Sequence, residues 1–232
     1  MKKAFTMIEL IFIIVVVGIL AAVAIPRIDR DNLIELVDQV TTHIRYTQQL
    51  AMMDNVYDGN EKDWYKNYWR IDFRNAESGS AAGWRYNVYK NTKNSGGPNS
   101  LNEIAVDPQN PRKHLTSGFA SQNYPADRIN KKLDLKNTYD IKDVTFTGCG
   151  DPRNQTIAFD SKGRPHGAPQ NAKNPYHKVL HTPCIITFTD SGDRSIQIAV
   201  QPETGFISDN RAEAIEKNWK AGNFKKFDNK EF

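Results

Sequence analysis

The hydrophobic and polar positions divide the chain into one continuous apolar run near its start and a longer region of shorter, periodic patterns. The run from Phe5 to Ile25 is interrupted in polarity only by Thr6 and Glu9. A helix rises about 1.5 Å per residue, so a helix over this run would span roughly 30 Å, the thickness of the hydrocarbon core of a bilayer. We therefore predict that residues 5–25 form a transmembrane helix.

Two basic residues, Lys2 and Lys3, precede this apolar run. The positive-inside tendency puts the N-terminus of such a helix in the cytoplasm, and everything after Pro26 on the other side of the membrane. An ordinary secretory signal is the alternative, because it also has a basic start followed by an apolar run. Its apolar region is usually about 7 to 15 residues long, which is shorter than the run in this chain.

Glu9 is the acidic residue inside the apolar run. An ionised carboxylate in hydrocarbon costs several kcal/mol unless it is neutralised, paired or solvated. One interpretation places Glu9 at the membrane interface as a tolerated end charge. The other supplies a cation: if the chain were cut before Phe5, the new α-amino group of one subunit would meet Glu9 of another subunit in a helix bundle of low dielectric constant.

The first 30 or so residues resemble the class III signal of type IV pilins and type II secretion pseudopilins, in which a short basic leader and a cleavage point precede Phe-Thr-x-x-Glu and an apolar helix. The matching residues are Lys2, Lys3, Ala4, Phe5, Thr6 and Glu9. The resemblance implies that a prepilin peptidase cuts between Ala4 and Phe5 and methylates the Phe5 amine, and that Glu9 acts in assembly. The family usually has glycine before the cut, where this chain has Ala4.

The pattern changes after Pro26, a residue that we expect to kink the helix because it lacks a backbone N–H. An apolar stripe follows at intervals of three and four residues, which predicts an amphipathic helix over 26–56. Its members are Leu33, Val37, Val40, Ile44, Thr47 and Ala51. Packing of this stripe on the protein's own sheet is favoured over a free helix that binds a partner.

Short runs of alternating apolar residues after Gly59 predict antiparallel strands. The first two are indicated by Trp69, Ile71 and Phe73, and by Trp84, Tyr86 and Val88. Further strands are predicted at 144–147, 156–159, 184–189 and 195–200, with a hairpin turn from Asp190 to Asp193 between the last two. Residues 91–130 are poor in periodicity, and we assign this insertion no regular element.

Together these elements predict an α+β fold. A long N-terminal α-helix, transmembrane in its first half and amphipathic in its second, would pack on a C-terminal antiparallel β-sheet head. The predicted divisions are a leader peptide (1–4), a transmembrane and assembly helix (5–25), an amphipathic helix (26–56) and a globular β-rich head (57–232).

A second resemblance links the end of the amphipathic helix to two turns of the head. Residues 46–51, the turn from Asp160 to Gly163, and the sequence from Pro202 to Gly205 look like those of the GspH/FimT group of minor pilins and pseudopilins. In that group an Asp-x-x-Gly turn and a Pro-x-Thr-Gly turn follow in this order. Asp160 and Gly163 suit a tight turn, and Gly205 suits a backbone position with positive φ.

The chain has two cysteines, Cys149 and Cys184. A disulfide between them would stabilise the head by about 2 to 4 kcal/mol in an oxidising compartment. The rival interpretation is a zinc site that combines both cysteines with His177 and His181, which are four residues apart. No close pair of cysteines accompanies these histidines, so the disulfide is favoured over the metal site.

Charge and motifs favour a structural protein over an enzyme. There are 31 basic and 27 acidic residues, a net charge of +4, which argues against a large phosphate-tracking surface. We find no nucleophile elbow, P-loop, His-Glu-x-x-His sequence or paired-carboxylate signature, and we predict no cofactor.

Asp190 and Asp193 suit turn chemistry better than calcium binding. The tail after Arg211 mixes cations with aromatics, but its acidic residues favour a packed or solvated helix over nucleic-acid binding.

The resemblance and these exclusions predict a minor pilin or pseudopilin of a type II secretion or type IV pilus filament. Its expected partners are other pilin subunits, bound through the N-terminal helix, together with prepilin peptidase and the inner membrane. Its expected location is the bacterial inner membrane, with a cytoplasmic N-terminus and a periplasmic head, and the filament after assembly. The alternative is a DNA-capturing minor pilin of a transformation system, which would require a clustered basic surface.

Overall fold

Two separate helices form the N-terminal part of the fold. The computed structural model describes residues 7–24, 31–76, 82–92, 97–118, 124–150 and 155–212. These residues belong to two compact units, 1–31 and 32–232. Helix α1 (Met7–Ala24) lies in the first unit, and the second unit begins with helix α2 (Asn32–Met53).

The prediction of one long N-terminal helix is therefore wrong, since α1 ends at Ala24 and α2 begins at Asn32. The sequence contains a sufficient physical reason. Proline lacks the backbone N–H, and its ring disfavours helical geometry in the residue before it, so helices usually end at or before that residue. Pro26 itself, which we expected to kink a continuous helix, lies outside the described residues.

The predicted transmembrane helix is also wrong: among the described residues no helix is both long enough and apolar enough to cross a membrane. Helix α1 has 18 residues, which is at the short end of the range of about 17–25 residues for a spanning helix. Its first turn also contains the acidic Glu9. The prediction counted the whole apolar run as helix. The predicted single-pass location in the inner membrane, with a periplasmic head, depended on that helix and is therefore not supported.

Antiparallel strands follow α2 in the second unit, but they form two sheets where we expected one. The first sheet contains β1 (Trp69–Ala76), β2 (Gly83–Tyr89), β6 (Thr156–Phe159) and β7 (Pro165–His166). The second contains β5 (Ile141–Thr147), β8 (Cys184–Asp190), β9 (Ser195–Val200) and β10 (Ile207–Asp209). The strand orders are β2-β1-β6-β7 and β10-β9-β8-β5. The second unit also contains a hairpin of β3 (Val106–Asp107) and β4 (Asn110–His114) and a short helix α3 (Leu135–Tyr139).

The core lies where α2 packs against both sheets. Every member of the predicted stripe is buried: Leu33, Val37, Val40, Ile44 and Thr47 are 0% exposed and Ala51 is 3% exposed. Helix α2 contacts β1 and β6 of the first sheet and β9 and β10 of the second. The sheets meet at Phe73, whose ring centroid lies 5.5 Å from that of Phe146 and 6.0 Å from that of Phe188. The prediction that the stripe packs on the protein's own strands is confirmed.

The predicted strands occur in the structure with small changes in their bounds. The strands at 156–159 and 195–200 have the predicted bounds, whereas the predicted 144–147 strand starts at Ile141. The hairpin turn between β8 and β9 is confirmed by the bond from Asp190 N to Arg194 O (3.0 Å). In this turn Asp193 has a φ of 58°.

The insertion at 91–130, which we could not assign, docks on the edge of the first sheet. Backbone hydrogen bonds tie it to Val88 of β2: Val88 N donates to Leu115 O (3.0 Å), and Ala105 N donates to Val88 O (2.9 Å). Ile104 and Leu115 anchor it in the core, since they are 3% and 0% exposed. The insertion thus extends the head rather than projecting from it as a simple loop.

Candidate functional site

The first candidate surface is α1, whose described side chains are exposed on every face of the helix. Twelve of the fourteen residues from Met7 to Leu20 are large and apolar, and each is 40–83% exposed. The two others are Glu9 and Gly18. A helix that is apolar all round is normally buried on all sides, and large exposed apolar patches mark interaction sites. Helix α1 is therefore a candidate interaction surface.

The predicted processing and assembly residues fall at or just before α1. Ala4 and Phe5, the predicted cleavage and methylation site, lie outside the described residues. Glu9 lies in the first turn of α1, where its side chain is exposed. A carboxylate in the first turn also interacts favourably with the helix macrodipole, by about 0.3–1 kcal/mol. The roles of these three residues stay predictions.

The second candidate region is the C-terminal end of α2, where the two glycine turns of the second resemblance come together. Gln48 Nε2 donates to Gly163 O (2.8 Å) and to Thr204 O (2.8 Å). Gly163 and Gly205 have φ values of 77° and 63°, as their turns require. A Cβ on Gly205 would lie 2.5 Å from Gln48 Nε2. Segments that are far apart in sequence therefore converge on one side chain of α2.

Asp160 fixes the first of these turns from the inside. Its carboxylate accepts hydrogen bonds from Arg164 Nε (2.7 Å) and Arg164 N (3.0 Å) and contacts His166 Nε2 at 3.2 Å. Burial by itself would raise the pKa of Asp160, but hydrogen bonds from His166 and Arg164 outweigh it and hold this pKa well below its ordinary value. The arrangement stabilises a turn, since the carboxylate is fully engaged by neighbouring donors.

The hairpin between β8 and β9 repeats this geometry. Asp190 accepts from Arg194 Nε (2.7 Å) and Arg194 N (2.8 Å), as Asp160 does from Arg164. Asp193 pairs with Lys142 (3.0 Å). Both carboxylates that we weighed as calcium ligands are thus paired with cations, in keeping with the turn interpretation.

The cysteine prediction is confirmed, because Cys149 and Cys184 form a disulfide with a Cα–Cα distance of 4.4 Å. Both half-cystines are buried, at 4% and 0% exposure. Neither sulfur is therefore a thiolate available to zinc. His177, a candidate ligand in the rival interpretation, accepts a hydrogen bond from Lys173 N at Nδ1 (3.1 Å).

A basic cavity beside the β3–β4 hairpin was missed at the sequence level. Lys113, Lys131 and Lys132 line it together with Asp107, and its volume is about 300 Å³. These lysines come from the hairpin and from the turn before α3, so no local run of charge brings them together. The sequence does show one sign of this cavity, the neighbouring pair Lys131 and Lys132. Such pairs are too common on protein surfaces to indicate a site.

Comparisons of the chain with protein-family models, with curated proteins and with solved structures found no match. The resemblances to the pilin family therefore rest on the residues quoted above.

Proposed function

We propose that this chain is a minor pilin or pseudopilin, a structural subunit of a type II secretion or type IV pilus filament, in which α1 packs among the equivalent helices of other subunits. The observation that carries the proposal is the exposure of apolar side chains on all sides of α1. The class III signal pattern at 2–9 supports it independently of the fold.

The energetics favour such packing. Burial of one large aliphatic or aromatic side chain contributes about 1.5–3 kcal/mol, and twelve such side chains are exposed between Met7 and Leu20. Association of proteins costs roughly 4–15 kcal/mol in lost rotational and translational freedom. Even partial burial of α1 among neighbouring helices offsets that cost, so α1 is sufficient to hold a subunit in a bundle.

Glu9 provides the specific contact in this proposal. Prepilin peptidase cuts before Phe5, and the new α-amino group of one subunit pairs with Glu9 of its neighbour. Within an apolar bundle this pair is strongly favoured over any arrangement that leaves either charge buried alone. Glu9 thereby sets the register between neighbouring helices, while the apolar residues supply most of the affinity.

Photo-crosslinking tests the contact directly. A photoreactive phenylalanine analogue at Phe12 is compared with the same analogue at Phe206 of the second unit, because these side chains are similarly exposed (72% and 64%). In cells that assemble the filament, we expect the Phe12 adducts to contain apolar N-terminal helices of other subunits, as identified by mass spectrometry. The Phe206 position controls for random encounters.

One result at Phe12 would contradict the proposal, and two variants test the role of Glu9. Adducts at Phe12 that contain no apolar helix of another subunit would overturn the proposal. Glu9→Val should spread the Phe12 adducts over several positions of the neighbouring helices through loss of register, whereas Glu61→Val, at an exposed acid of the second unit, should leave them unchanged. Unchanged adducts in Glu9→Val would remove the assembly role of Glu9 but not that of α1.

A second candidate function, DNA capture by the same kind of subunit, is favoured by the lysines of the basic cavity. Counterion release makes such binding fall steeply with salt. We expect a variant with alanine at Lys113, Lys131 and Lys132 to lose salt-dependent binding of duplex DNA. The control variant has alanine at Lys62, Lys142 and Lys173, which are exposed elsewhere on the second unit. Equal loss in both variants would indicate attraction by net charge alone.

A further inference from the structure

Exposed side chains meet beside the turn from Asp160 to Gly163 on the second unit. Tyr176 is 67% exposed, and Met52, in the last turn of α2, is 51% exposed. The guanidinium carbon of Arg164 lies 5.6 Å from the centre of the Tyr176 ring, and a Cβ on Gly163 would lie 3.1 Å from Met52 Sδ. We call Met52, Arg164 and Tyr176 the Tyr176 patch, which combines three separate parts of the sequence.

Positive charge flanks the Tyr176 patch. Residues 161–189 contain four lysine and arginine residues and no acidic residue. Arg164 is paired with Asp160, and the exposed Glu203 also acts on it electrostatically. Three lysines beside the patch form no ion pair with any described residue: Lys162, Lys173 and Lys178. Cations therefore exceed acids on this surface even when Glu203 is counted.

Hydrogen bonds hold the patch in place before any partner binds. Gln48 Nε2 donates to Gly163 O (2.8 Å), which ties the turn to the end of α2. Arg164 Nε donates to Asp160 Oδ2 (2.7 Å), which fixes the guanidinium beside the Tyr176 ring. A surface that is ordered in advance loses less conformational entropy when a partner docks. The patch is therefore suited to a specific partner.

We propose that the Tyr176 patch docks on an acidic surface of a neighbouring subunit in the filament, an inference that rests on the proposed function. Tyrosine, methionine and arginine are enriched in protein–protein interfaces, whereas lysine is depleted there. The patch has this composition, and the lysines lie beside it. Charges that complement one another across an interface speed association and exclude wrong partners. Helix α1 then holds the subunit in the bundle, while the patch selects which subunit lies beside the head.

Photo-crosslinking of the full chain, in cells that assemble the filament, tests this contact. A photoreactive phenylalanine analogue replaces Tyr176, which keeps an aromatic ring at an exposed position. We expect adducts that contain a segment of another subunit in which aspartate and glutamate outnumber lysine and arginine, as identified by mass spectrometry. The same analogue at Phe12 is measured in parallel, because it reports on the packing of α1.

Charge reversal separates docking from chance proximity. Lys162→Glu, Lys173→Glu and Lys178→Glu combined should lower the yield of Tyr176 adducts about tenfold or more, because like charges would then face each other. The matched control makes the same change in net charge at lysines exposed elsewhere on the second unit, namely Lys131, Lys136 and Lys142. It should leave the yield unchanged. Changing the acids of the cross-linked partner segment to lysine should restore the yield in the first variant.

Lys162→Glu alone keeps the test independent of folding, since Lys162 is exposed and forms no ion pair with a described residue. It should lower the adduct yield about threefold and leave the melting temperature unchanged. Equal yields in wild type and in the triple variant would overturn the proposal, as would an equal loss in the matched control.

The identity of the adducts supplies the remaining outcomes. Adducts with lipid, with nucleic acid, with residues 213–232 of the same chain or with the Tyr176 patch of a second copy would overturn the proposal. So would a partner segment without an excess of acids. Helix adducts at Phe12 without Tyr176 adducts would remove the docking surface and keep the filament proposal. Tyr176 adducts with an acidic partner, without helix adducts at Phe12, would overturn the filament proposal alone.

Discussion

The two N-terminal helices are both rich in apolar residues, but their apolar residues are arranged differently. Helix α2 has its apolar residues on one stripe, and the members of that stripe are buried in the head. Helix α1 is apolar on every face, and its described side chains are exposed. The comparison shows that the periodicity of apolar residues, rather than their number, indicates whether a helix finds its partners within its own chain.

The largest expected difference between the helices is in stability. Ile44→Ala in α2 should lower the free energy of unfolding of the head by about 2–5 kcal/mol, because Ile44 is 0% exposed and its loss leaves a cavity. Ile14→Ala in α1 removes the same atoms from a side chain that is 62% exposed and should change that free energy by less than about 0.5 kcal/mol. Urea unfolding, followed by tryptophan fluorescence, measures both. A comparable loss in Ile14→Ala would mean that α1 is buried in the head.

The next effect depends on pH and belongs to α2 alone. His43 is 2% exposed, and its Nδ1 atom lies 2.8 Å from the Tyr86 hydroxyl. Burial lowers the pKa of His43 to about 4, although Asp107 opposes the shift. The folded state favours neutral His43. The contribution of His43 to stability is therefore complete above its pKa in the unfolded chain, about 6.5, and is lost as the pH falls from 6.5 through 4.

We therefore expect wild type to lose up to about 3 kcal/mol more than His43→Gln between pH 7 and pH 4. Urea midpoints measured across this range give the difference between the two proteins, which removes the contribution of carboxylates common to both. Parallel curves for the two proteins would show that His43 is not the group that titrates.

The smallest expected effects compare a glycine of the turn that contacts α2 with a glycine of α1. Gly205→Ala should destabilise the head by about 1–3 kcal/mol, because Gly205 has a φ of 63° and the new Cβ would meet Gln48 Nε2 at 2.5 Å. Gly18→Ala in α1 meets nothing within 4 Å and should stabilise that helix by about 0.5–1 kcal/mol. Differential scanning calorimetry measures the first change and circular dichroism the second. A neutral Gly205→Ala would show that the turn relaxes without cost.

The parts of the fold that were predicted correctly depend on residues that lie close together in the sequence. The stripe of α2 is a matter of periodicity, and the strands at 156–159 and 195–200 follow from alternation over a few residues. Gly205 was predicted to need positive φ because of its turn, and it has it. The disulfide was favoured over zinc by the absence of a close cysteine pair, which also requires only the sequence.

The predictions that failed concern either contacts between residues far apart in the sequence or the position at which an element ends. In the sequence the strands of both sheets form one series. Only the hydrogen-bonded pairing between strands shows which strand belongs to which sheet. A cavity beside β2 combines Arg85 of β2 with Ser117 and Lys131, which no periodic pattern connects. The insertion at 91–130 is held by backbone bonds to Val88, which leave little trace in side-chain pattern. The long helix was overextended because we expected a kink at Pro26, whereas the restriction that Pro26 places on Ile25 favours the end of a helix.

The uniform surface of α1 has a further consequence for how it fits into a bundle. A cylinder that is apolar on every face has no preferred side, so apolar contacts alone would let it roll about its axis and slide along its neighbours at little cost. Glu9 is the charged side chain in the described part of α1, and it therefore breaks this symmetry in both directions at once. In the proposed bundle, this one acidic residue would select a single rotation and a single height from many arrangements of nearly equal energy.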